Sequence, residues 1–594
     1  MCAIAGWQLH PGKSMPQDVA ERMALSMRHR GPDDSGRYSD AAGGIVFAHR
    51  RLSIIDLSPA SHQPMVDEPT GIALTYNGEL YNFRELRSEL QALGHVFLSS
   101  GDTEIVLRSY IAWGTACFDR FSGMFALAIW DARTRTLHLA RDATGMKPLY
   151  FMQGDEGFVF ASELKAFSQW PSFQPALNPH AVQQYLEFGY VFDTAQTMLQ
   201  GIQKLEPGQR LEVREGEIRA TASWYVPPVA PREGQDEQCR VGELGELLNE
   251  VVTQHLIADV PVGLLLSGGL DSSVIAALAA KRGPLQTVSM GFTGGGVDER
   301  VHARQVSRHI GSEHVDVLIS PEEVMAEISG GAWVFDDLFA DWGTVTTRLL
   351  YRRCREKGLK VVLVGEGADE LFGGYEVFDA PARMGFWNTF KLYQRYSGRR
   401  HGRLFGEFRA IMHEYLDRSG GDAFSAIRLF EARRQLPNQY VMKVDKASMA
   451  ESVEARTPYL DRRVADFAFG TPREWLSRNG ENKYLLRALA RRENLLPPHV
   501  CSRPKFGAPL DAGWMDNNAA LRTFARARIL DSGSQTSRLG LRSAMQAYFD
   551  EGRGGYAFPA ALSIFRNIAW RLLLLEMWST SYLTPTANRA GTGP

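Results

Sequence analysis

The stretch Ser267-Gly268-Gly269-Leu270-Asp271-Ser272-Ser273 constrains this chain more than any other. Ahead of it, Val262 to Leu266 is apolar and reads as a buried strand, and behind it Ser273 to Ala280 reads as a helix. The seven residues are therefore a strand-to-helix turn. Two glycines let the backbone turn tightly and bring its N–H groups against a ligand, while the helix N-terminus and the Ser272 and Ser273 hydroxyls add donors. Such a loop suits a phosphate or pyrophosphate. Asp271 opposes an anion unless a cation lies between them, the pattern expected of a magnesium-nucleotide site, and the lysine of a GxxxxGK[ST] loop is absent. On its own the turn also reads as an ordinary glycine-rich connection.

A chain of 594 residues is long enough for two or three domains, each with its own core. Its 66 basic and 68 acidic residues leave a net charge of −2, so nothing electrostatic points to nucleic acid or a charged membrane as partner. Small charged substrates fit better. The cysteines Cys2, Cys117, Cys239, Cys354 and Cys501 are odd in number and form no CxxC pair, which argues against a disulfide framework or a zinc site. No basic start leads into an apolar run, and no segment offers about 20 uninterrupted apolar residues. A soluble protein in a reducing, cytoplasmic setting is expected.

Cys2 follows the initiator Met1, so loss of Met1 leaves a terminal cysteine carrying both thiol and α-amine. With pKa values near 8 and 8.5, the pair supplies a nucleophile and the base that activates it. Four stretches follow: Arg28-His-Arg-Gly-Pro-Asp33, Arg51-Leu-Ser-Ile-Ile-Asp56, Tyr76-Asn-Gly-Glu-Leu-Tyr-Asn82 and Gly101-Asp-Thr-Glu104. Behind a cysteine nucleophile these stretches offer amide, guanidinium and carboxylate groups suited to a small charged substrate. Taken singly, Asn77-Gly78 reads as a hairpin turn, and Asp102 and Glu104 read as a helix cap. Strand-like segments at 45–49, 125–130 and 136–140, with helices near 82–94 and 103–113, suit a two-sheet sandwich with helices outside. Residues 224–238 are rich in proline and charge and read as a linker.

Beyond the linker, helices near 240–257, 272–282 and 298–311 alternate with strands at 262–266, 285–292, 314–319 and 360–364. Alternation of this kind implies a parallel doubly wound sheet with ligands at the carboxyl ends of its strands. A second marked loop, Gly365-Glu-Gly-Ala-Asp-Glu-Leu-Phe-Gly-Gly-Tyr375, leaves its strand there too.

Ser-Gly-Gly-Leu-Asp-Ser resembles the signature loop of the PP-loop ATP pyrophosphatases. The amino-terminal stretches behind Cys2 resemble the glutaminase domain of class II glutamine amidotransferases. One departure is Cys2-Ala3-Ile4 where the usual start is Cys-Gly-Ile. The second loop, Ser452 to Asp461 and Asn482-Lys483-Tyr484 are similar to asparagine synthetases of the glutamine-hydrolysing B type. The resemblance implies an αββα Ntn-hydrolase sandwich over residues 2–210, a linker over 211–238 and a PP-loop domain with a helical carboxy-terminal region over 239–575. A disordered tail at 582–594 is read from its small, polar composition.

The resemblance also implies roles. Cys2 is the nucleophile, and the Asn77 side-chain amide with the Gly78 N–H forms the oxyanion hole, worth about 3–4 kcal/mol per donor. Arg51 pairs with the glutamine carboxylate, while Glu79 and Asp102 take its ammonium. Arg30 orders the loop. Ser267, Gly268, Gly269, Asp271, Ser272 and Ser273 hold ATP, with Leu266, Met290, Val364 and Gly365 about the adenosine. Asp271 and Asp369 hold Mg2+, Glu366 is the base toward ammonia, and Lys483 lies over the α-phosphate. Ammonia loose in neutral water is mostly protonated, so an internal passage between the sites is expected. Partners are small molecules: glutamine, ATP and a carboxylate, most simply aspartate; a homodimer is left open.

The acceptor is the weakest match. Where aligned asparagine synthetases carry an arginine, Phe339-Ala-Asp-Trp-Gly-Thr344 has Trp342. A sugar acid, a peptide or a secondary-metabolite carboxylate therefore stays open beside aspartate, with choice set around Asp341 and Trp342 and with Arg348 or Arg456 as a replacement cation. A non-catalytic glutamine or nucleotide sensor is disfavoured by Cys2, Asp271, Glu366 and Lys483. A β-lactam-forming relative is disfavoured by Cys2 and the glutaminase set.

Overall fold

The computed structural model describes residues 2–16, 18–229, 236–293, 298–330, 332–341, 343–386, 402–478, 480–503, 514–551 and 559–583. Its first half is built on strands β1 (Ala3–Leu9), β2 (Asp34–Asp40), β3 (Ile45–Arg51), β4 (Met65–Asp67), β5 (Ile72–Leu80) and β6 (Gly123–Asp131). Six more follow: β7 (Thr136–Arg141), β8 (Tyr150–Gly154), β9 (Gly157–Ala161), β10 (Gln203–Lys204), β11 (Gln209–Arg214) and β12 (Glu217–Ser223). They form two six-stranded sheets ordered β10-β8-β9-β1-β3-β2 and β12-β11-β7-β6-β5-β4, antiparallel throughout. Ile4, Phe47, Ala73, Ala128, Trp130 and Phe160 pack together in one apolar core drawn from both sheets. Helices α1 (Asp18–Ser26), α2 (Phe83–Ala92), α3 (Asp102–Trp113) and α4 (Pro179–Phe188) lie outside. Val19, Ala20 and Met23 of α1 and Ile105, Val106 and Leu107 of α3 are buried in the outer layers, so each sheet is covered on both faces, which is why β1, β5 and β7 are buried along their whole lengths.

The second half alternates helix and strand as expected: α5 (Glu237–His255), β13 (Val262–Leu265), α6 (Leu270–Ala280), β14 (Gln286–Phe292), α7 (Arg300–Ile310) and β15 (Glu313–Ile319). Next come α8 (Pro321–Ser329), α9 (Gly343–Glu356), β16 (Val361–Leu363) and α10 (Ala368–Phe372). The fifth strand, β17 (Glu454–Arg456), falls inside Ser452–Asp461, which the family likeness placed in a helical region. Three residues are too few for a period-2 pattern to show. The sheet is parallel with order β15-β14-β13-β16-β17. Connections run one way from β13 and the other way to β16, so the switch point lies between those strands, where open sheets bind ligands.

Two expectations are corrected. Residues 211–223, assigned to the linker, are most of β11 and β12, with Leu211 and Val213 in the sandwich core. Of the remainder, 230–235 lie outside the described residues and Glu237 already belongs to α5. At the carboxyl end Tyr582 is no tail residue: it closes the helix Pro559–Tyr582, is buried, and donates its hydroxyl to the Trp333 carbonyl at 2.9 Å. Residues 584–594 lie outside the described residues.

A continuous apolar cluster joins the halves, taking Trp7 and Tyr185 from the first and Tyr351, Trp570 and Trp578 from the second. Arg571 of the last helix donates to the Leu186 and Glu187 carbonyls at the end of α4. Among the described residues no helix is long and apolar enough to cross a membrane.

Two candidate active sites

The first site forms where β1 begins beside β5. Cys2 is buried, and its backbone N–H donates to Asn77 Oδ1 at 2.9 Å. That bond fixes the Asn77 amide, and its Nδ2 is buried with no partner among the described residues. A buried donor left unsatisfied costs about 1–3 kcal/mol, which is reason to look for an absent acceptor. Asn77-Gly78 is not a hairpin turn. Both residues sit mid-strand, Asn77 opposite Ala126 and Gly78 opposite Phe125. Glycine is needed for approach rather than for turning, because a Cβ at 78 would lie 2.3 Å from the Met124 carbonyl oxygen. Burial pushes the Cys2 thiol up, opposed by the Leu52 N–H and by Arg51.

Arg51, Glu79 and Asp102 surround the same spot, all buried. The Arg51 guanidinium donates to the carbonyls of Ser58, Ile55 and Asp56, at 2.5 Å for the last. Asp102 starts α3, and its carboxylate accepts from the Leu80 N–H and the Tyr76 hydroxyl at 2.9 and 3.0 Å, so it ties α3 to β5. Glu104 instead accepts from the Leu98 and Ser99 N–H groups. Burial, then the carboxylates of Glu454 and Asp102, hold Glu79 well above the usual carboxylate range, although Arg456 Nη2 is 3.6 Å away. A cation placed beside Glu79 would favour its ionised form again. Arg30 orders this site, donating from Nε to the Cys2 carbonyl at 3.1 Å.

The second site sits at the carboxyl ends of β13 and β16. Gly268 has φ +72°, and a Cβ there would lie 2.5 Å from the Ala303 nitrogen, so only glycine fits this turn against α7. The Ser267 and Ser272 hydroxyls are 3.0 Å apart and close the loop, while the Ser267 Oγ also accepts from the Gly269 N–H. Ser273 is buried in α6. Leu266 and Val364 extend their strands into hydrogen bonds with the Val288 and Arg456 carbonyls, and Met290 stands on β14 beside them. Gly365 crosses next to Ser272, bringing the two loops together.

Lys483 joins the loops. Its Nζ is 2.6 Å from both Asp271 Oδ2 and Asp369 Oδ1, so two carboxylates converge on one cation. Burial opposes its charge, but those carboxylates win and hold the ammonium above its ordinary range. Lys483 adopts φ +55°, a left-handed conformation uncommon for a residue with a side chain, at the head of the helix Tyr484–Arg492. Burial raises the Glu366 carboxyl, with Asp271 and Asp369 adding to the rise against Lys443. A raised carboxyl is a better base than an ordinary one. A cleft of about 950 Å³ opens here, lined by Ser267, Gly269, Asp271, Lys483, Arg487 and Arg503 among others.

The replacement cations named from sequence are both engaged elsewhere. Arg348 is paired with Glu327 and with Glu451, the latter at 2.8 Å. Arg456, fully buried on β17, pairs with Glu454 at 2.5 Å and donates to the His255 and Ile257 carbonyls. Trp342 lies outside the described residues. The cation beside Asp341 is Lys443, its Nζ 3.4 Å from Asp341 Oδ2. Burial opposes its charge, yet Asp341, then Glu366, raise it. Sequence reasoning missed Lys443, though Lys443-Val-Asp445-Lys446 offers a signal: three charges in the otherwise apolar helix Val441–Met449.

Residues 243–580 match the family model described as asparagine synthase, and residues 1–225 match one described as a glutamine amidotransferase domain. The chain belongs to the asparagine synthase family. A Mycobacterium tuberculosis H37Rv protein named putative asparagine synthetase [glutamine-hydrolyzing] is 32% identical over 98% of this chain and 97% of its own. The Bacillus subtilis asparagine synthetase [glutamine-hydrolyzing] 1 is 31% identical over 87% of this chain and 88% of its own. A Gibberella zeae protein named amidase chry2 is 30% identical over 64% of this chain and 60% of its own.

Proposed function

We propose that this family member is a glutamine-dependent, ATP-consuming amide ligase that makes asparagine from aspartate. The observation that carries the reading is the pairing of two sites in one chain. Cys2 lies against an Asn77 amide with an unsatisfied donor, and the Asp271, Asp369, Glu366 and Lys483 cluster lies at the switch point of the parallel sheet. In the first, the Cys2 thiolate attacks the glutamine side-chain carbonyl, Asn77 Nδ2 and the Gly78 N–H take the oxyanion, and ammonia leaves. Arg51 takes the substrate carboxylate, and Glu79 with Asp102 takes the ammonium. Water then cleaves the thioester to glutamate.

In the second, the acceptor carboxylate attacks the α-phosphorus of ATP and pyrophosphate departs. Ammonia adds to the acyl-adenylate, Glu366 removes a proton, and AMP leaves. Lys483 offsets charge gathering on the α-phosphate. Two carboxylates converging on one cation fit Mg2+, which is commonly held by one or two carboxylates plus substrate phosphates. Among the described residues no group of three or more His, Cys, Asp or Glu could hold a metal without such help. Asp271 and Asp369 would hold the ion, which screens the pyrophosphate charge when bound.

Relatives named both asparagine synthetase and amidase leave the acceptor to be decided by this chain's own residues. Aspartate carries a second carboxylate and an ammonium, and the Lys443–Asp341 pair offers one charge for each. Assaying amide product from a panel of carboxylic acids with glutamine, ATP and magnesium tests the reading, with aspartate expected to be the best acceptor. With ammonium as nitrogen source, Lys443→Met is expected to raise the aspartate KM about 10- to 100-fold, the loss of one charged hydrogen bond. Product from a sugar acid or peptide but none from aspartate would replace the aspartate reading.

A further inference from the structure

The contacts of Arg30 extend beyond the amidotransferase half. Its guanidinium is fully buried and makes four hydrogen bonds to three groups. Nε donates to the Cys2 carbonyl at 3.1 Å, and Nη1 donates to Glu163 Oε1 at 2.9 Å and Asp445 Oδ2 at 2.8 Å. Nη2 donates to Asp445 Oδ1 at 3.0 Å. Asp445 therefore takes the fork of the guanidinium with both oxygens, across 415 positions of sequence. It lies on the helix Val441–Met449 of the second half, and its nearest other cation is Lys147, 3.7 Å away.

Glu163 cannot take over this task. His29 and Lys165 occupy its other oxygen at 3.0 and 2.7 Å, and Lys446 lies 3.8 Å from the oxygen it offers Arg30. The Cys2 peptide is held on both sides, its N–H by Asn77 and its carbonyl by Arg30. The Arg30 fork is planar and rigid, so fixing one edge against Asp445 fixes where Nε points.

We propose that Asp445 is a positioning residue for the Cys2 nucleophile, acting through Arg30, so that the glutaminase site is complete only with the second half docked against it. The same helix carries Lys443 beside Asp341, and its Lys446 donates to Asp336 Oδ2 at 2.9 Å in the segment leading to Asp341. One helix thus touches both the nucleophile's support and the acceptor segment, through different side chains.

The inference rests on Cys2 being the nucleophile, and the test separates the two. In the full-length protein, Asp445→Asn keeps shape and one acceptor oxygen but removes the charge. Its glutaminase kcat is expected to fall at least tenfold with glutamine KM changed less than threefold. Alkylation of Cys2 by a chloroketone analogue of glutamine should slow in parallel, and ammonium-dependent amide synthesis should stay within about twofold. If Asp445→Asn does not fold, Asp445→Glu keeps the charge and moves it by one methylene, and the same split is expected at smaller size. Equal loss of both activities in a folded variant means Asp445 merely holds the interface, and an unchanged glutaminase kcat removes its role outright. Wild type that hydrolyses no glutamine, or Cys2→Ala that still does, overturns the nucleophile assignment instead.

Discussion

Cys2→Ala is expected to abolish glutamine hydrolysis and glutamine-dependent amide formation, at least a thousandfold, and to leave ammonium-dependent synthesis within about twofold of wild type. The loss is large because the step is covalent: without sulfur no thioester forms, and the oxyanion donors have no intermediate to stabilise. Synthesis from ammonium is spared because Asp271, Asp369, Glu366 and Lys483 stand at the strand ends of the other sheet. The thiol itself is small and buried, and alanine fills most of its volume, so the Asn77 and Arg30 bonds to the Cys2 backbone persist. Parallel rates of glutamate release and of amide formation from ammonium decide the point. Equal loss of both would mean that the two chemistries are not divided between the two sites.

What the sequence made legible is what depends on near neighbours in the chain. The PP-loop is a strand, a turn and a helix in one run of about twenty residues, so its place at a strand end follows from local pattern. The same holds for Gly365 to Tyr375. Asn77-Gly78 shows where local pattern misleads. The dipeptide has turn chemistry, but pairing along the whole of β5 with β6 outweighs it, and Gly78 is small because Met124 is close. β17 escaped notice because its strand character comes from pairing with β16 rather than from its three residues. Lys443 and Asp445 escaped because what gives them meaning lies far off in sequence: Asp341 and Arg30 mark them only once the chain has folded. Residue type alone makes Arg348 and Arg456 candidates for the acceptor cation, but each has a carboxylate of its own.

Replacing Asp271 or Asp369 with Asn is expected to stop pyrophosphate release, by at least a thousandfold, while glutamine hydrolysis by Cys2 stays measurable. Each loop brings one of these carboxylates to the Lys483 ammonium, both at 2.6 Å. An amide keeps the shape and loses the charge, so the divalent cation proposed there would lose one of two anionic protein ligands, and in a partly buried site charge counts for more than in water. Lys483 is affected as well. With one carboxylate gone, burial acts against a single partner and its ammonium becomes less strongly held, which removes order from the group proposed to face the α-phosphate. Two losses from one substitution predict an effect larger than that of Ser272→Ala, which removes one neutral hydroxyl from the same loop. The measurement is ATP–pyrophosphate exchange in the presence of aspartate, with glutaminase activity as the internal check that the protein is folded. Exchange at near wild-type rates in either variant would show that Asp271 and Asp369 do not hold the metal, and Lys483 would then stand as the principal positive charge at the phosphate loop.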